Sequence, residues 1–157
     1  MDYSIKTYLL LISCVILSFP LYAHEHPEHE VTPKHERDHA NQIGETGPKN
    51  NQGIKSVATL GSVDLSQEFP NIGNRELRAR VITIEPGGVV AVHQHQQRPG
   101  LAYILDGEII EHRNDHPAPL VRKSGEVAFE NSGVIHWWEN RSDKEVRALV
   151  VDIIESK

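Results

Sequence analysis

The chain has 157 residues, with 16 lysines and arginines against 22 aspartates and glutamates, and a formal net charge of −6 at pH 7. This length is enough for one domain of ordinary size, and the acidic balance argues against a protein that binds nucleic acid, whose binding surfaces are usually basic. Ten histidines are the unusual feature of the composition.

The first 23 residues have the pattern of a secretory signal peptide. Lys6 precedes the apolar run YLLLISCVILSFPLY, and Ala23 precedes an abrupt change to the polar stretch HEHPEHE. A basic start, an apolar middle and a small residue before the cleavage point are typical of such segments. We therefore expect cleavage after Ala23, a periplasmic or secreted mature protein, and no membrane association after cleavage. The alternative is a lipoprotein anchored through Cys14, because Leu11–Cys14 resembles a lipobox.

Cys14 is the only cysteine, so cleavage after Ala23 leaves a mature chain without thiols. An exported domain without disulfides must be stabilised by its core alone. Any metal site in it must be built from histidine, carboxylate, amide or backbone groups.

Residues 24–55 are predicted to form a flexible arm, because the stretch is polar, contains proline and glycine, and has neither a helical nor a strand period. Five of the ten histidines lie in this arm, namely His24, His26, His29, His35 and His39. Histidine-rich tracts commonly bind metal, and the alternative is a polar leader that binds nothing. If the mature chain begins at His24, its amine, two amides and the His26 imidazole could encircle a square-planar Cu(II) or Ni(II) ion.

Residues 56–157 are predicted to form the folded domain, in which short strand-like segments alternate with turn signals. ELRARVITIE ends at Pro86-Gly87-Gly88, and GLAYILDG meets EIIEHRND at Asp106-Gly107, which is a hairpin signal. The segments PLVRKSG, EVAFENSG, IHWWENRSD and EVRALVVDII follow. No long segment has a period of 3.6 residues, so the pattern predicts an all-β sandwich or barrel.

One of these strands carries the sequence His93-Gln94-His95. Residues two apart on a strand share a face, so the imidazoles of His93 and His95 point the same way and can chelate one ion. The alternative for an isolated pair of this kind is two surface histidines on an edge strand.

Two stretches resemble the signature motifs of the cupin superfamily, whose members are small jelly-roll barrels. The first motif runs Gly, five residues, His-x-His, three or four residues, Glu, six residues, Gly, and the matching residues are Gly87, His93, His95 and Gly107. The second runs Gly, five residues, Pro-x-Gly, two residues, His, three residues, Asn, and the matching residues are Gly125, Gly133, His136 and Asn140, with Asn131 in place of proline. The resemblance implies a double-stranded β-helix, or jelly-roll barrel, of the single-domain cupin type.

In cupins the two histidines of the first motif, its glutamate and the histidine of the second motif hold one metal ion. The resemblance therefore implies a divalent Fe, Mn, Zn, Cu or Ni ion bound by His93, His95 and His136, since ligand type alone does not select among these metals. Gly100 stands where the motif has its glutamate. Three neutral ligands leave the ion its full charge and open positions, as in catalytic sites. The alternative is that metal binding was lost with the glutamate and left an apolar pocket.

Further candidates surround these histidines. Gln97 is a candidate additional ligand through its amide oxygen. If the strand alternation holds, small inward-facing residues enlarge the cavity beside the metal, and an inward arginine could pair with an anionic substrate. The predicted substrate pocket consists of Gly100, Ala102, Ile104, Trp138 and Arg80. No general acid or base is assigned, because no carboxylate belongs to either motif as it stands in this sequence.

These observations predict an exported small cupin that binds one divalent metal and a small anionic or chelating molecule. The resemblance implies oxygenase, isomerase or lyase chemistry, and a three-histidine site is most similar to that of some dioxygenases. The alternatives are a module that binds metal or a small ligand without turnover, and a metal-free barrel that acts through its surface. Cupins commonly pair through sheet edges, so a homodimer is expected.

Overall fold

The computed structural model describes residues 30–156. The predicted signal peptide, the predicted cleavage point and the candidate Cu(II) or Ni(II) ligands His24 and His26 lie outside the described residues. Within residues 30–156, no helix is both long enough and apolar enough to cross a membrane.

The described residues form one α-helix and eight β-strands, with a short 3-10 turn at Leu65–Gln67. The elements are α1 Lys34–Gln42, β1 Gln52–Asp64, β2 Arg75–Gln94, β3 Gly100–Asp106, β4 Glu108–Arg113, β5 Leu120–Lys123, β6 Val127–Glu130, β7 Ile135–Glu139 and β8 Val146–Glu155. From β2 onward, the strands fall within or overlap the alternating segments predicted from the sequence.

All eight strands belong to one antiparallel sheet that curls into a nearly closed barrel. The strand order is β5-β4-β7-β2-β8-β3-β6, and β1 pairs with β2 outside this path. The first half of β2 pairs with β1 and β8, and its second half pairs with β7. The predicted all-β jelly-roll barrel is therefore confirmed.

Two predicted turns differ from the structure. β3 and β4 do not form a hairpin at Asp106-Gly107: β3 pairs with β6 and β8, whereas β4 pairs with β5 and β7. Gly107, with φ of +83°, instead directs the chain from one part of the barrel wall to another. β2 also continues through Pro86–Gly88, because Gly87 at φ of +74° bends the strand without ending it.

Alternation along the strands separates the barrel interior from its surface. In β6 the buried residues are Ala128 and Glu130, and in β7 they are His136 and Trp138. Side chains on alternate positions of a strand point to opposite faces, which gives the barrel one apolar core. The core residues of the barrel include Ile82, Ile84, Val90, Ala102, Ile104, Ile109, Ala128, Trp138, Val146, Ala148 and Val150.

The prediction of a flexible arm is wrong for residues 30–55, the part of that segment that the structure describes. This part contains α1 and the start of β1 at Gln52, and its residues Val31, Thr32 and Ala40 are buried. A nine-residue helix is marginal by itself in water. Its order here comes from contacts with the barrel, which no local period in the sequence reveals.

Candidate metal centre

The three predicted histidines meet inside the barrel. His93 lies on β2, His95 follows directly after the end of that strand, and His136 lies on β7 opposite His93 in the antiparallel register. All three side chains are buried, with residue exposures of 3%, 0% and 1%. The strand alternation gives His93 and His95 one face, and the β2–β7 pairing adds His136 to it.

Hydrogen bonds assign the same tautomer to all three rings. The Nδ1 atom of His93 lies 2.8 Å from the carbonyl oxygen of Ala91, and that of His95 lies 3.0 Å from the carbonyl oxygen of Arg98. The Nδ1 atom of His136 lies 2.9 Å from a carboxylate oxygen of Glu111. Because these partners can only accept, each Nδ1 carries the proton and each Nε2 has a free lone pair.

The three Nε2 atoms converge on one point. Their separations are 3.1 Å between His93 and His95, 2.9 Å between His95 and His136, and 3.2 Å between His93 and His136. One ion about 2.0–2.1 Å from each nitrogen would need nitrogen pairs about 3.0 Å apart at right angles or about 3.4 Å apart in a tetrahedron. The donor set and its spacing therefore fit a single transition-metal ion.

Burial keeps the imidazoles of His93 and His95 neutral, as metal ligation requires. Burial, followed by the proximity of His136 and Arg98, lowers the pKa of His95 to about 2. Burial likewise holds the pKa of His93 well below its ordinary value, with the neighbouring histidines acting in the same direction. At neutral pH the two rings therefore have free Nε2 lone pairs.

A small cavity adjoins the histidines. It has a volume of about 40 Å³, which is room for a few water-sized groups. Apolar side chains from the barrel core form most of its wall, and Val31 and Thr32 of the segment before α1 also line it. The segment predicted to be a flexible arm therefore helps to enclose the cavity beside the candidate metal centre.

Two arginines line the same cavity. Arg80 is 1% exposed, and burial lowers the pKa of its guanidinium only to about 10, so the group stays positive at neutral pH. Arg98, 6% exposed, donates two hydrogen bonds of 2.8 and 2.6 Å to the carboxylate of Glu36 on α1. The predicted pocket residue Arg80 thus has a second arginine beside it that sequence reasoning missed.

Asp152 on β8 joins these arginines into one buried network. Its carboxylate is fully buried and accepts hydrogen bonds of 2.9–3.2 Å from Arg78, Arg80 and Arg98. Burial would raise the pKa of Asp152, but the three guanidinium groups lower it overall. Of these residues Arg80 and Arg98 line the cavity, and the buried Nε atom of Arg80 has no hydrogen-bond partner among the described residues, so this side of the cavity offers a free donor to an anion.

Strand β6 contributes a carboxylate to the cavity, although none was expected from either motif. Glu130 is 4% exposed and lines the cavity, with its Oε1 atom 3.7 Å from the Nε2 atom of His136. Burial raises the pKa of Glu130 above its ordinary value, and the nearby charge of Arg98 opposes that rise. The residue lies in the five-residue gap of the second motif, so the expectation that neither motif contributes a carboxylate is wrong. Alternation with the apolar Ala128 was the signal in the sequence that could have identified it.

Two of the other predicted site residues lie elsewhere. Gln97 is exposed in the β2–β3 loop, where its backbone carbonyl accepts a hydrogen bond from Arg75. Gly100 does not line the cavity. Its α-carbon packs against β8, so that a Cβ atom there would lie 2.6 Å from the carbonyl oxygen of Val151. Close approach of β3 to β8 fills the space that the missing side chain was expected to leave. The remaining predicted pocket residues, Ala102, Ile104, Trp138 and Arg80, do line the cavity.

Comparison with known proteins agrees with this architecture. The family model described as "Cupin domain" matches residues 80–152. The chain is 35% identical over 71 residues to an oxalate-binding protein from Thermotoga maritima. This match covers 45% of the chain and 57% of that relative, so the chain matches little more than half of the relative's length.

Solved structures have the same fold. A crystal structure from Thermotoga maritima, described as a predicted oxalate decarboxylase, has a TM-score of 0.54 and 27% identity, covering 68% of this chain and 86% of its own. The polyketide cyclase RemF from Streptomyces resistomycificus has a TM-score of 0.52 and 21% identity over 70% of this chain and 74% of its own, which is a likeness of fold alone. With both histidine motifs meeting inside one jelly-roll barrel, the chain belongs to the cupin superfamily, in its type 2 group.

Proposed function

We propose that this protein binds one divalent metal ion through His93, His95 and His136, and binds a small dicarboxylate such as oxalate beside that ion. The observation that carries the proposal is the convergence of three Nε2 lone pairs within 3.2 Å of one another. Three lone pairs at this distance repel each other unless a cation lies between them.

A dicarboxylate suits the chemistry of the cavity. A divalent ion on three neutral imidazoles keeps its charge and has open positions for the oxygens of a chelating ligand. Arg80 and Arg98 line the same cavity, and guanidinium groups are suited to recognition of a carboxylate. The metal ion and the two arginines together favour a ligand with one carboxylate at the metal and another toward the arginines.

The size of the cavity and the comparisons support a ligand of few atoms. A volume of about 40 Å³ leaves little room for a ring system or a long chain. One relative is named an oxalate-binding protein, and one similar structure is described as a predicted oxalate decarboxylase. Both names are consistent with a dicarboxylate of two carbons for this chain.

The test combines metal analysis with calorimetry on the full-length protein purified without a histidine tag. We expect about one equivalent of metal and metal-dependent binding of oxalate, with much weaker binding of acetate. The double variant His93→Ala with His95→Ala should lose both metal and oxalate. His116→Ala is the matched control, because His116 is exposed in the β4–β5 loop. Absence of metal in the wild-type protein under every loading condition would overturn the proposal.

The second candidate function is turnover of the bound ligand, which the open coordination positions of a three-histidine site favour. Dioxygenase-like chemistry, as implied by the family resemblance, would consume O₂, whereas decarboxylation of oxalate would release CO₂ and formate. Nuclear magnetic resonance of the oxalate mixture and an oxygen electrode distinguish these reactions from binding without product. Oxalate that remains unchanged after prolonged incubation with the metal-loaded protein favours binding without turnover.

Export and dimer formation are also proposed. Export depends on residues 1–23. N-terminal sequencing of the secreted or periplasmic protein should therefore begin at His24. Any other start removes the proposed Cu(II) or Ni(II) site at His24 and His26.

Light scattering should give a mass twice that of one chain if the protein forms a homodimer. A monomeric mass at micromolar concentration would contradict that proposal.

A further inference from the structure

Gly100 and Glu130 lie directly opposite each other in the antiparallel pairing of β3 with β6. Gly100 occupies the position where the first cupin motif has its glutamate. A Cβ atom at this position would lie 2.6 Å from the Val151 carbonyl oxygen and 3.0 Å from the Cβ of Asp152. No side chain, and therefore no carboxylate, fits at residue 100 without a shift of the β8 backbone.

The partner strand brings a carboxylate to the histidines instead. Glu130 is the last residue of β6, and alternation with the fully buried Ala128 directs it into the barrel. Its Oε1 atom lies 3.7 Å from the Nε2 atom of His136, and its Oε2 atom lies 3.7 Å from the Nδ1 atom of His95. Both distances are too long for hydrogen bonds, so these contacts leave the carboxylate available to another group.

The Oε2 atom of Glu130 is buried and has no hydrogen-bond partner among the described residues. By contrast, the buried carboxylate of Glu111 accepts hydrogen bonds from Arg113, Arg122 and His136. A buried carboxylate oxygen without a partner carries a large desolvation cost. The carboxylate of Glu130 therefore lacks the hydrogen bonds that hold Glu111, and its other oxygen, Oε1, lies beside the converging lone pairs, where a cation would offset this cost.

We propose that Glu130 replaces the missing motif glutamate as a fourth protein ligand of the metal ion, contributed by β6 instead of β3. This inference rests on the metal-binding function proposed above. Neighbouring ligand atoms around one ion are about 3 Å apart, so the Oε1 atom of Glu130 needs to approach His136 by less than about 1 Å. A rotation of one glutamate side chain provides such a shift.

A carboxylate ligand changes which metals the site prefers. Carboxylate oxygen suits Mn(II), whereas imidazole suits Zn(II), Cu(II) and Ni(II). Removing the carboxylate should therefore weaken binding of Mn(II) more than binding of Ni(II). This difference separates a ligand from a group that merely makes the cavity more negative, which would affect both ions alike.

The test measures dissociation constants of Mn(II) and Ni(II) by competition with a fluorescent chelator, in a background with His24→Ala and His26→Ala that removes the proposed arm site. For Glu130→Gln we expect a loss of Mn(II) affinity of about 10- to 100-fold or more and a smaller loss for Ni(II). The visible absorption spectrum of bound Co(II) should also change, because the number of protein ligands changes. Glu108→Gln is the matched control, since Glu108 is exposed on β4 and should leave both affinities unchanged.

The same set of Glu130 variants distinguishes a loss of metal binding from a loss of folding. If Glu130→Gln does not fold by circular dichroism, Glu130→Asp takes its place, with an expected Mn(II) affinity below that of the wild-type protein and a Co(II) spectrum shifted from it. Wild-type metal binding together with unchanged Mn(II) affinity in Glu130→Gln would overturn the role of Glu130 and leave the proposed function intact. A wild-type protein that binds neither ion would overturn both.

Discussion

His136 and Glu111 form a fully buried contact in which Nδ1 of the imidazole donates to Oε1 of the carboxylate over 2.9 Å. Burial alone would raise the pKa of Glu111, but hydrogen bonds from His136, Arg113 and Arg122 lower it to about 2. The ionised carboxylate therefore holds the proton of His136 on Nδ1 and directs Nε2 toward His93 and His95. A carboxylate that orients a metal-binding histidine in this way typically matters for affinity.

The first prediction is that Glu111→Gln weakens metal binding without removing any ligand. The neutral amide loses its charge interaction with Arg113 and Arg122 and no longer fixes the tautomer of His136. We expect about a 10- to 100-fold loss of affinity, measured by chelator competition. Glu108→Gln lies on the same strand at an exposed position and serves as control. Equal affinities of the Glu111 variant and the wild-type protein would contradict the orienting role.

The second prediction concerns stability with and without metal. Metal that binds only the folded state at about 100 times its dissociation constant adds about 2.7 kcal/mol to the unfolding free energy. For a domain of this size we expect a rise in the melting temperature on the order of 10 °C. Scanning fluorimetry in EDTA and after metal addition measures it. His93→Ala with His95→Ala should remove the rise, whereas His116→Ala should retain it.

The third prediction concerns the contact of α1 with the barrel. Arg98 donates to Glu36 over 2.8 and 2.6 Å in a buried pair. Breaking a buried ion pair by neutralising one partner costs about 3–5 kcal/mol, so Glu36→Gln should lower the unfolding free energy by several kcal/mol. Hydrogen exchange should also become faster in Lys34–Gln42, because the helix loses its main polar attachment to the barrel.

The matched control for this prediction is Asp38→Asn in the same helix. Asp38 pairs with Lys34 on the exposed side, where their side chains are 49% and 74% accessible. An exposed pair of this kind contributes less than about 1 kcal/mol. Equal effects of Glu36→Gln and Asp38→Asn in chemical denaturation would mean that the Glu36–Arg98 pair does not hold α1 on the barrel.

The fourth prediction is a loss of stability of the metal-free protein in mild acid. The pKa of His95 falls from its ordinary 6.5 to about 2 in the folded state because of burial. Below pH 6.5 the unfolded chain therefore binds a proton that the folded chain rejects. The contribution of the neutral His95 ring to the free energy of unfolding is complete above pH 6.5. It declines as the pH falls toward 2, by about 1 kcal/mol per pH unit.

Denaturation in urea between pH 7 and pH 5 measures this effect. The raised pKa of Glu130 acts with the opposite sign, so the informative quantity is the difference in slope between the wild-type protein and His95→Gln. We expect the variant to lose less stability per pH unit over this range. Parallel slopes would mean that His95 is not the group responsible.

Local patterns predicted much of the fold. Alternating residues marked the strands from β2 to β8, and the glycines at 87 and 107 marked places where the chain changes direction. The prediction was wrong about pairing at Asp106-Gly107, because a turn residue determines where a strand ends and not which strand becomes its neighbour. It was also wrong about residues 30–55, since α1 is stabilised by Arg98, which is 62 residues from Glu36.

The sequence by itself determined the strand periodicity and the shared face of His93 and His95. These are properties of neighbouring residues, because side-chain direction along a strand repeats every two positions. The resemblance to the cupin motifs implied that His136 joins them. Only the tertiary structure decided that Glu130 lies opposite Gly100, that Arg80 and Arg98 share one cavity, and that Val31 and Thr32 before α1 help to enclose it. Those relationships depend on strand register and on packing between distant segments, which the order of residues along the chain does not state.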